Sequence, residues 1–205
     1  MSMVMSLVRI GNAGIERLLA DPPMVWRIVS PDDPAPYLDE RAPRPRGMAL
    51  LMARLLGLKS AEPLPPVPEL PLAKGEGESL DLDKAWHGIH YLLTRSGEGG
   101  EPPLGFLLRG GREVGDVDVG YGPARVLTAA EVRAAHEALE RLPDAELRGR
   151  FDTAAMMASS IYPTIWDRDP AEDDTLGYLM AYVTELRRFL AETADAGIGL
   201  VIYLC

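Results

Sequence analysis

Two histidines, His87 and His90, stand three positions apart in the stretch "SLDLDKAWHGIHYLLTR" (residues 79–95). On a helix, this spacing would let both imidazoles reach one metal ion. The third histidine, His136, lies in a different predicted helix, and the H-E-x-x-H pattern of metalloproteases is absent. His90 falls on the apolar face of its helix, which favours a buried neutral histidine with one hydrogen bond. We therefore predict no metal site.

Two aspartates, Asp81 and Asp83, stand at the start of the same predicted helix. Acidic side chains at a helix start accept hydrogen bonds from the free amides of the first turn and complement the helix dipole. One aspartate is enough for that task. The other could pair with Arg125 or accept a hydrogen bond from Tyr121, in a structural network or in a site.

Two further loops present side chains that suit a binding site. The rigid segment "GYGPAR" carries Tyr121 and Arg125, and "IYPTIW" places Tyr162 and Trp166 around Pro163. Loop aromatics can line a pocket or anchor a partner, and they can also cover the edge of a core. We predict that the two loops and the histidine helix surround one cleft. The predicted ligand- or partner-binding residues are Asp81, Asp83, His90, Tyr121, Arg125, Tyr162 and Trp166.

The segment "GREVGDVDVGYGPAR" contains a pair of carboxylates, Asp116 and Asp118, on one face of a predicted strand. Such a pair can hold a cation or exchange protons. The segment lacks the EF-hand pattern and the G-K-[ST] of a phosphate loop, so we interpret it as a turn. No G-x-S-x-G elbow and no cysteine nucleophile in a motif is present. Catalytic residues therefore remain unassigned.

The order of predicted elements indicates the fold that positions these residues. Apolar strands are predicted at residues 3–10 and 198–204, with a helix after Asn12, which we expect to cap it. One helical face carries apolar residues at helical spacing, namely Leu82, Trp86, Ile89 and Leu93. A second helix is predicted to start at a capping box formed by Thr128 and Glu131. A long helix is predicted at about 173–196. Strands and helices do not alternate regularly. We predict an α+β fold: a small mixed or antiparallel sheet with the terminal strands central, packed by helices on one side.

A proline-rich segment at about residues 21–78 interrupts this pattern and contains most of the chain's prolines. Since proline removes an amide donor and fixes φ, we expect extended loops there, apart from one helix near residues 47–58. Residues 60–78 contain few apolar groups to offset the entropy lost when the segment becomes ordered, so we expect this segment to add little stability. The chain is predicted to form a single domain, residues 1–205, with this segment as an insertion.

Composition limits the classes of function. The formal net charge is −10, which repels nucleic acid and would attract a basic partner. The single cysteine, Cys205, permits no disulfide within the chain, as is usual in a reducing cytoplasm. No signal peptide and no membrane span is predicted, because the apolar segments are too short.

Three segments occur in an order that resembles a known family: "LDLDKAWHGIHYLLT" (80–94), "GYGPARVLTAAEV" (120–132) and "IYP" (161–163), with "AGIGLVIYL" closing the chain. With the N-terminal strand they are similar to the YfbM-like family, a bacterial family of unknown function (domain of unknown function 1877). The resemblance covers about residues 80–204 and the first twenty residues. Arg95 departs from the small residue expected there. The resemblance implies a compact α+β domain and supplies no catalytic residue and no cofactor.

Two functional hypotheses follow. The first is a soluble, cytoplasmic, non-catalytic domain that binds a protein partner, for example as a toxin-neutralising immunity protein, without nucleic acid, membrane or cofactor. The alternative is a small-molecule-binding protein or hydrolase-like enzyme with a cleft near Asp81, His90, Tyr121 and Arg125. The oligomeric state is left open.

Overall fold

The computed structural model describes residues 2–41 and 67–205. The elements in chain order are β1 (Met5–Ile10), α1 (Asn12–Ala20), a 3₁₀ turn (Pro22–Val25), α2 (Trp26–Val29), α3 (Ala35–Arg41), β2 (Ser79–Asp81), a second 3₁₀ turn (Asp83–Ala85), α4 (Trp86–Thr94), β3 (Arg112–Asp118), β4 (Pro123–Leu127), α5 (Ala129–Glu140), α6 (Asp144–Gly149), α7 (Thr153–Ala158), α8 (Thr175–Asp195) and β5 (Gly199–Leu204).

The five strands form one antiparallel sheet in the order β2-β1-β5-β4-β3. The N-terminal and C-terminal strands pair along their whole length, from Met5 opposite Leu204 to Ile10 opposite Gly199. Both strands are almost entirely buried, as their continuous apolar sequences indicate. The predicted α+β fold with central terminal strands is therefore confirmed.

Each face of the sheet has its own apolar core, because side chains alternate between faces along a strand. Helices α4, α5 and α8 cover the first face, whose strand residues include Met5, Leu7, Leu200 and Ile202. The N-terminal helices cover the second face, whose strand residues include Val8, Ile10, Val126 and Val201. The prediction of helices on one side was wrong, since β1 has apolar side chains on both faces and each face needs a cover.

The beginning of the proline-rich segment supplies the second cover. Met24, Val25 and Tyr37 are buried in the second core, so the expectation of extended loops was wrong for residues 21–41. Pro22 and Pro23 occupy the first positions of a 3₁₀ turn, where a missing amide donor costs little. The helix predicted near residues 47–58 lies outside the described residues.

Residues 67–70 also pack against the second core, through the partly buried side chains of Val67 and Leu70. These contacts weigh against the expectation that residues 60–78 add little stability, which stays a prediction; residues 60–66 lie outside the described range. No helix among the described residues combines the length and apolar character needed to cross a membrane.

Helix α5 begins with the predicted cap, and helix α1 does not. The Thr128 side chain accepts from the Glu131 amide while the Glu131 carboxylate accepts from the Thr128 amide, so the predicted capping box is confirmed. The N-cap of α1 is Gly11, and Asn12 is the first helical residue, so the predicted Asn12 cap was wrong. Gly197 follows α8 with φ +65°, the left-handed conformation that glycine adopts without strain.

The buried side chain of Arg9 ties β1 to α8 on the first face of the sheet. Its Nε donates to Thr193 Oγ1 at 3.0 Å, and its guanidinium lies 4.6 Å from the centre of the Phe189 ring. Ion pairs of 2.5 Å join it to Glu78 and Glu192, whose side chains are 63% and 49% exposed. Arg9 lowers the pKa of Glu192 through that hydrogen bond.

We expect Arg9→Ala to lower the free energy of unfolding by about 2–4 kcal/mol, chiefly by removing the packed alkyl chain and the bond to Thr193. Arg9→Met should cost less, because it restores most of the apolar contact. Glu192→Gln should cost less than either substitution of Arg9, since the Glu192 carboxylate is half exposed and water screens its ion pair with Arg9. Urea unfolding measures all three. A Glu192→Gln loss as large as that of Arg9→Ala would show that ion pairing outweighs packing here.

Candidate functional site

Asp81 and Asp83 hold the backbone that leads into α4. Asp81 Oδ1 accepts a 2.6 Å hydrogen bond from the Asp83 amide at the start of the second 3₁₀ turn. The N-cap of α4 is Ala85 and no side chain caps that helix, so the predicted aspartate cap was wrong for α4 itself. Asp83 Oδ2 accepts a 3.1 Å bond from the hydroxyl of Tyr178 on α8, not from Tyr121 or Arg125 as we had considered. Burial, then that bond to Asp83, raises the Tyr178 pKa.

His87 uses both ring nitrogens to hold two loops. Its Nδ1 accepts from the Tyr162 amide at 3.0 Å, which requires that Nε2 carries the proton and donates to the Gly97 carbonyl at 2.9 Å. The ring stacks on Trp86 with 4.7 Å between centroids. Burial lowers the His87 pKa, so the imidazole is neutral near pH 7.

His90 is completely buried beneath the glycine-rich loop that follows α4. Its Nε2 bonds the Gly99 carbonyl at 2.8 Å, while Nδ1 is buried without a hydrogen-bond partner among the described residues. Burial is the main cause that lowers its pKa to about 4. The geometry is that of a neutral histidine which holds a loop closed.

Arg125 on β4 organises the turn at residues 106–110. Its guanidinium donates to the carbonyls of Phe106, Leu107 and Gly110. Buried carbonyls need hydrogen-bond donors, and Arg125 supplies them for three carbonyls of a segment without regular structure, so this segment can be buried. Tyr121 is 46% exposed at the tip of the β3–β4 hairpin, where Asp118 accepts from two glycine amides, as the turn interpretation predicts.

Tyr162 and Trp166 flank a loop with a cis peptide bond before Pro163. The Tyr162 hydroxyl accepts from the Met3 amide at 3.1 Å, and its ring lies 6.0 Å from that of Trp86. Trp166 is fully buried, and its Nε1 donates to the Ile161 carbonyl at 2.7 Å. The loop is therefore anchored to the core by both aromatic residues.

The seven predicted residues are spread over separate places. Tyr121 and Arg125 line one cavity of about 220 Å³. Asp83 lines another, of about 200 Å³, with Lys84, Asp173 and Tyr178. His90 and Trp166 are in the core, Asp81 is exposed, and Tyr162 bonds the N-terminal backbone.

Sequence reasoning missed several residues that line cavities. Asp173 belongs to an acidic run visible in the sequence, and Tyr178 lies on the α8 helix, but nothing local connects either to Asp83. Another cavity, of about 530 Å³, lies where the starts of α1 and α5 meet β3, and includes Glu16, Arg112 and Glu131. No group of three or more His, Cys, Asp or Glu suited to a metal occurs within residues 2–41 and 67–205.

Comparisons with known proteins agree with this fold. The model of one family, described as a domain of unknown function (DUF1877), matches residues 1–203, including residues 21–78, which the sequence resemblance left out. The crystal structure of YfbM from Escherichia coli, a protein of unknown function, is similar with a TM-score of 0.63 and 17% identity, over 98% of this chain and 99% of that one. A comparison with curated proteins gave no match.

Trp86 is 5% exposed within the stripe predicted from sequence, and its Nε1 donates to the Met3 carbonyl. We expect Trp86→Ala to cost about 3–5 kcal/mol in chemical denaturation, and Trp86→Phe to cost less because the ring still fills the space. An unchanged melting temperature in Trp86→Ala would mean that the indole contributes nothing to the core.

Acid should destabilise the fold through His90. The unfolded histidine takes up a proton near pH 6.5, whereas the folded one resists until about pH 4. The contribution of neutral His90 to the free energy of unfolding is therefore fully present above pH 6.5. It is lost as the pH falls towards 4, by an amount on the order of 3 kcal/mol. Urea unfolding at several pH values measures it. His90→Gln, which keeps a donor for Gly99, should show a smaller loss than wild type. Identical pH dependence in both proteins would contradict this role.

Proposed function

Because the chain belongs to the DUF1877 family, whose description assigns no activity, we propose a function from its surface: a non-catalytic binding domain that recognises a basic protein partner. The observation that carries the proposal is a concentration of carboxylates beside one cavity. We call it the acidic face, and define it as Asp81, Asp83 and the loop at residues 167–174.

The loop of the acidic face has five acidic residues and one basic residue among eight. Asp173 and Asp83 line the same cavity of about 200 Å³, which places the loop next to the start of α4. Lys84 also lines this cavity, and its single positive charge leaves the acidic face net negative. Arg168 pairs with Asp173 at 2.6 Å. Asp167 and Glu172 are exposed and form no ion pair within the described residues. Uncompensated charge of one sign steers a partner of opposite charge.

Two tyrosines of α8 lie close to this charge. Tyr178 lines the cavity, and its ring meets that of Tyr182 edge to face at 5.1 Å. Burial is the main cause that raises the pKa of Tyr182, and the charges of Asp83 and Asp81 add to it. Tyrosines with restricted rotamers provide contact area at low entropic cost, as is common at protein interfaces.

The positions of the polar side chains favour this function over the hydrolase-like alternative. His87, His90 and Arg125 all bond backbone atoms, and those bonds hold loops in place. A single cysteine is consistent with a bacterial cytoplasmic protein, and a net charge of −10 argues against nucleic acid as the partner. An immunity protein that neutralises a basic toxin is one concrete form of the proposal.

The test is a pull-down from the source organism with two variants that change the charge equally. Asp167→Asn/Asp169→Asn/Glu172→Gln removes three of the seven carboxylate charges of the acidic face, and Glu69→Gln/Glu101→Gln/Asp116→Asn removes three exposed carboxylate charges elsewhere. We expect wild type and the second variant to recover the same basic protein, and the first variant to lose it.

Recovery should also fall as salt rises from about 0.1 M to about 1 M, because the Debye length shrinks from about 10 Å to about 3 Å. Equal recovery by both variants, or salt-independent recovery, would refute binding through the acidic face.

A further inference from the structure

A second cavity, lined by other residues than the acidic face, lies at the end of the sheet where β5 ends and β4 begins. Its volume is about 220 Å³. The wall combines the apolar side chains of Leu107, Ile202 and Leu204 with the polar side chains of Glu113, Tyr121 and Arg125. A small molecule with an apolar part and several polar groups fits such a wall.

Arg125 is the fixed positive group of this cavity. Three carbonyls of the turn at 106–110 hold its guanidinium through Nη1 and Nη2. A guanidinium has five N–H groups, and the Nε–H has no partner among the described residues. A charge held by its surroundings can bind a carboxylate without first losing conformational freedom.

Glu113 is the negative group, and it lies directly opposite Arg125 in the register of β3 and β4. Its side chain is exposed, and no ion pair joins these two residues in the described structure. Both nevertheless line the same cavity, and they interact electrostatically across it. The cavity therefore offers a positive and a negative group side by side.

Tyr121 stands at the opening and is one of two large apolar side chains that are exposed in the described residues. Its hydroxyl has no hydrogen-bond partner among those residues, whereas that of Tyr162 accepts from a backbone amide. An exposed tyrosine at the mouth of a cavity provides both a ring surface and a hydroxyl for a ligand.

We propose that this cavity binds a small zwitterion, namely a free α-amino acid with a small apolar side chain. Its carboxylate binds the Arg125 Nε–H and the Tyr121 hydroxyl, its ammonium binds the Glu113 carboxylate, and its side chain packs on Ile202 and Leu204. A simple anion is repelled by Glu113 and a simple cation by Arg125, so the pair selects a ligand that carries both charges. This site is independent of the acidic face and of any protein partner.

The experiment is an NMR titration of the ¹⁵N-labelled chain with L-alanine, L-valine and L-proline. Isovalerate and isobutylamine serve as matched probes, since each is valine without one of its charged groups. We expect saturable shifts at the amides around Glu113, Tyr121 and Arg125 with at least one amino acid. The two singly charged probes should bind at least tenfold more weakly than L-valine.

Two exposed residues provide matched variants on one strand. Glu113→Gln should weaken binding of the amino acid at least tenfold, whereas Asp116→Asn, outside the cavity, should leave it unchanged. Tyr121→Phe should weaken it less, and it avoids Arg125, whose replacement would release the turn at 106–110. The proposal is overturned if no amino acid shifts these amides, if isovalerate binds as tightly as L-valine, or if Glu113→Gln binds like wild type.

Discussion

The pairing of β1 with β5 is the constraint on which the rest of the structure depends. These two strands stand in the middle of the sheet, and their alternating side chains fill both cores. Neither core can form from a continuous stretch of the chain, because each needs Met5–Ile10 and Gly199–Leu204 side by side. Arg9 reinforces the same junction from within, since it joins β1 to the helix that leads into β5.

The second general feature is that polar side chains support loops as well as helices and strands. The segment between α4 and β3 has many glycines and no regular structure, yet Phe106 and Leu107 are buried. Buried backbone needs hydrogen-bond partners, and here His87, His90 and Arg125 supply them. Histidine and arginine are also common catalytic residues, so their presence in the sequence does not distinguish this structural role from catalysis.

Sequence predicted what depends on near neighbours. The capping box at Thr128, the apolar stripe around Trp86 and the glycine after α8 all follow from spacing, because the interacting atoms lie within one or two helical turns. The second core and the bond between Asp83 and Tyr178 did not follow, since they depend on how distant elements pack. The predicted site residues come from three separate segments of the chain, and the folded elements direct them to different places.

The strand order has a consequence for the nascent chain. Among the five described strands β5 is the last to leave the ribosome, and until then both β1 and β4 expose a row of unpaired backbone groups in the middle of the future sheet. Such edges readily pair with other chains. During translation the apolar strand "MSLVRI" and the helices after it therefore stay incompletely packed until the six residues of β5 have been synthesised. A chaperone that shields strand edges would act in that interval.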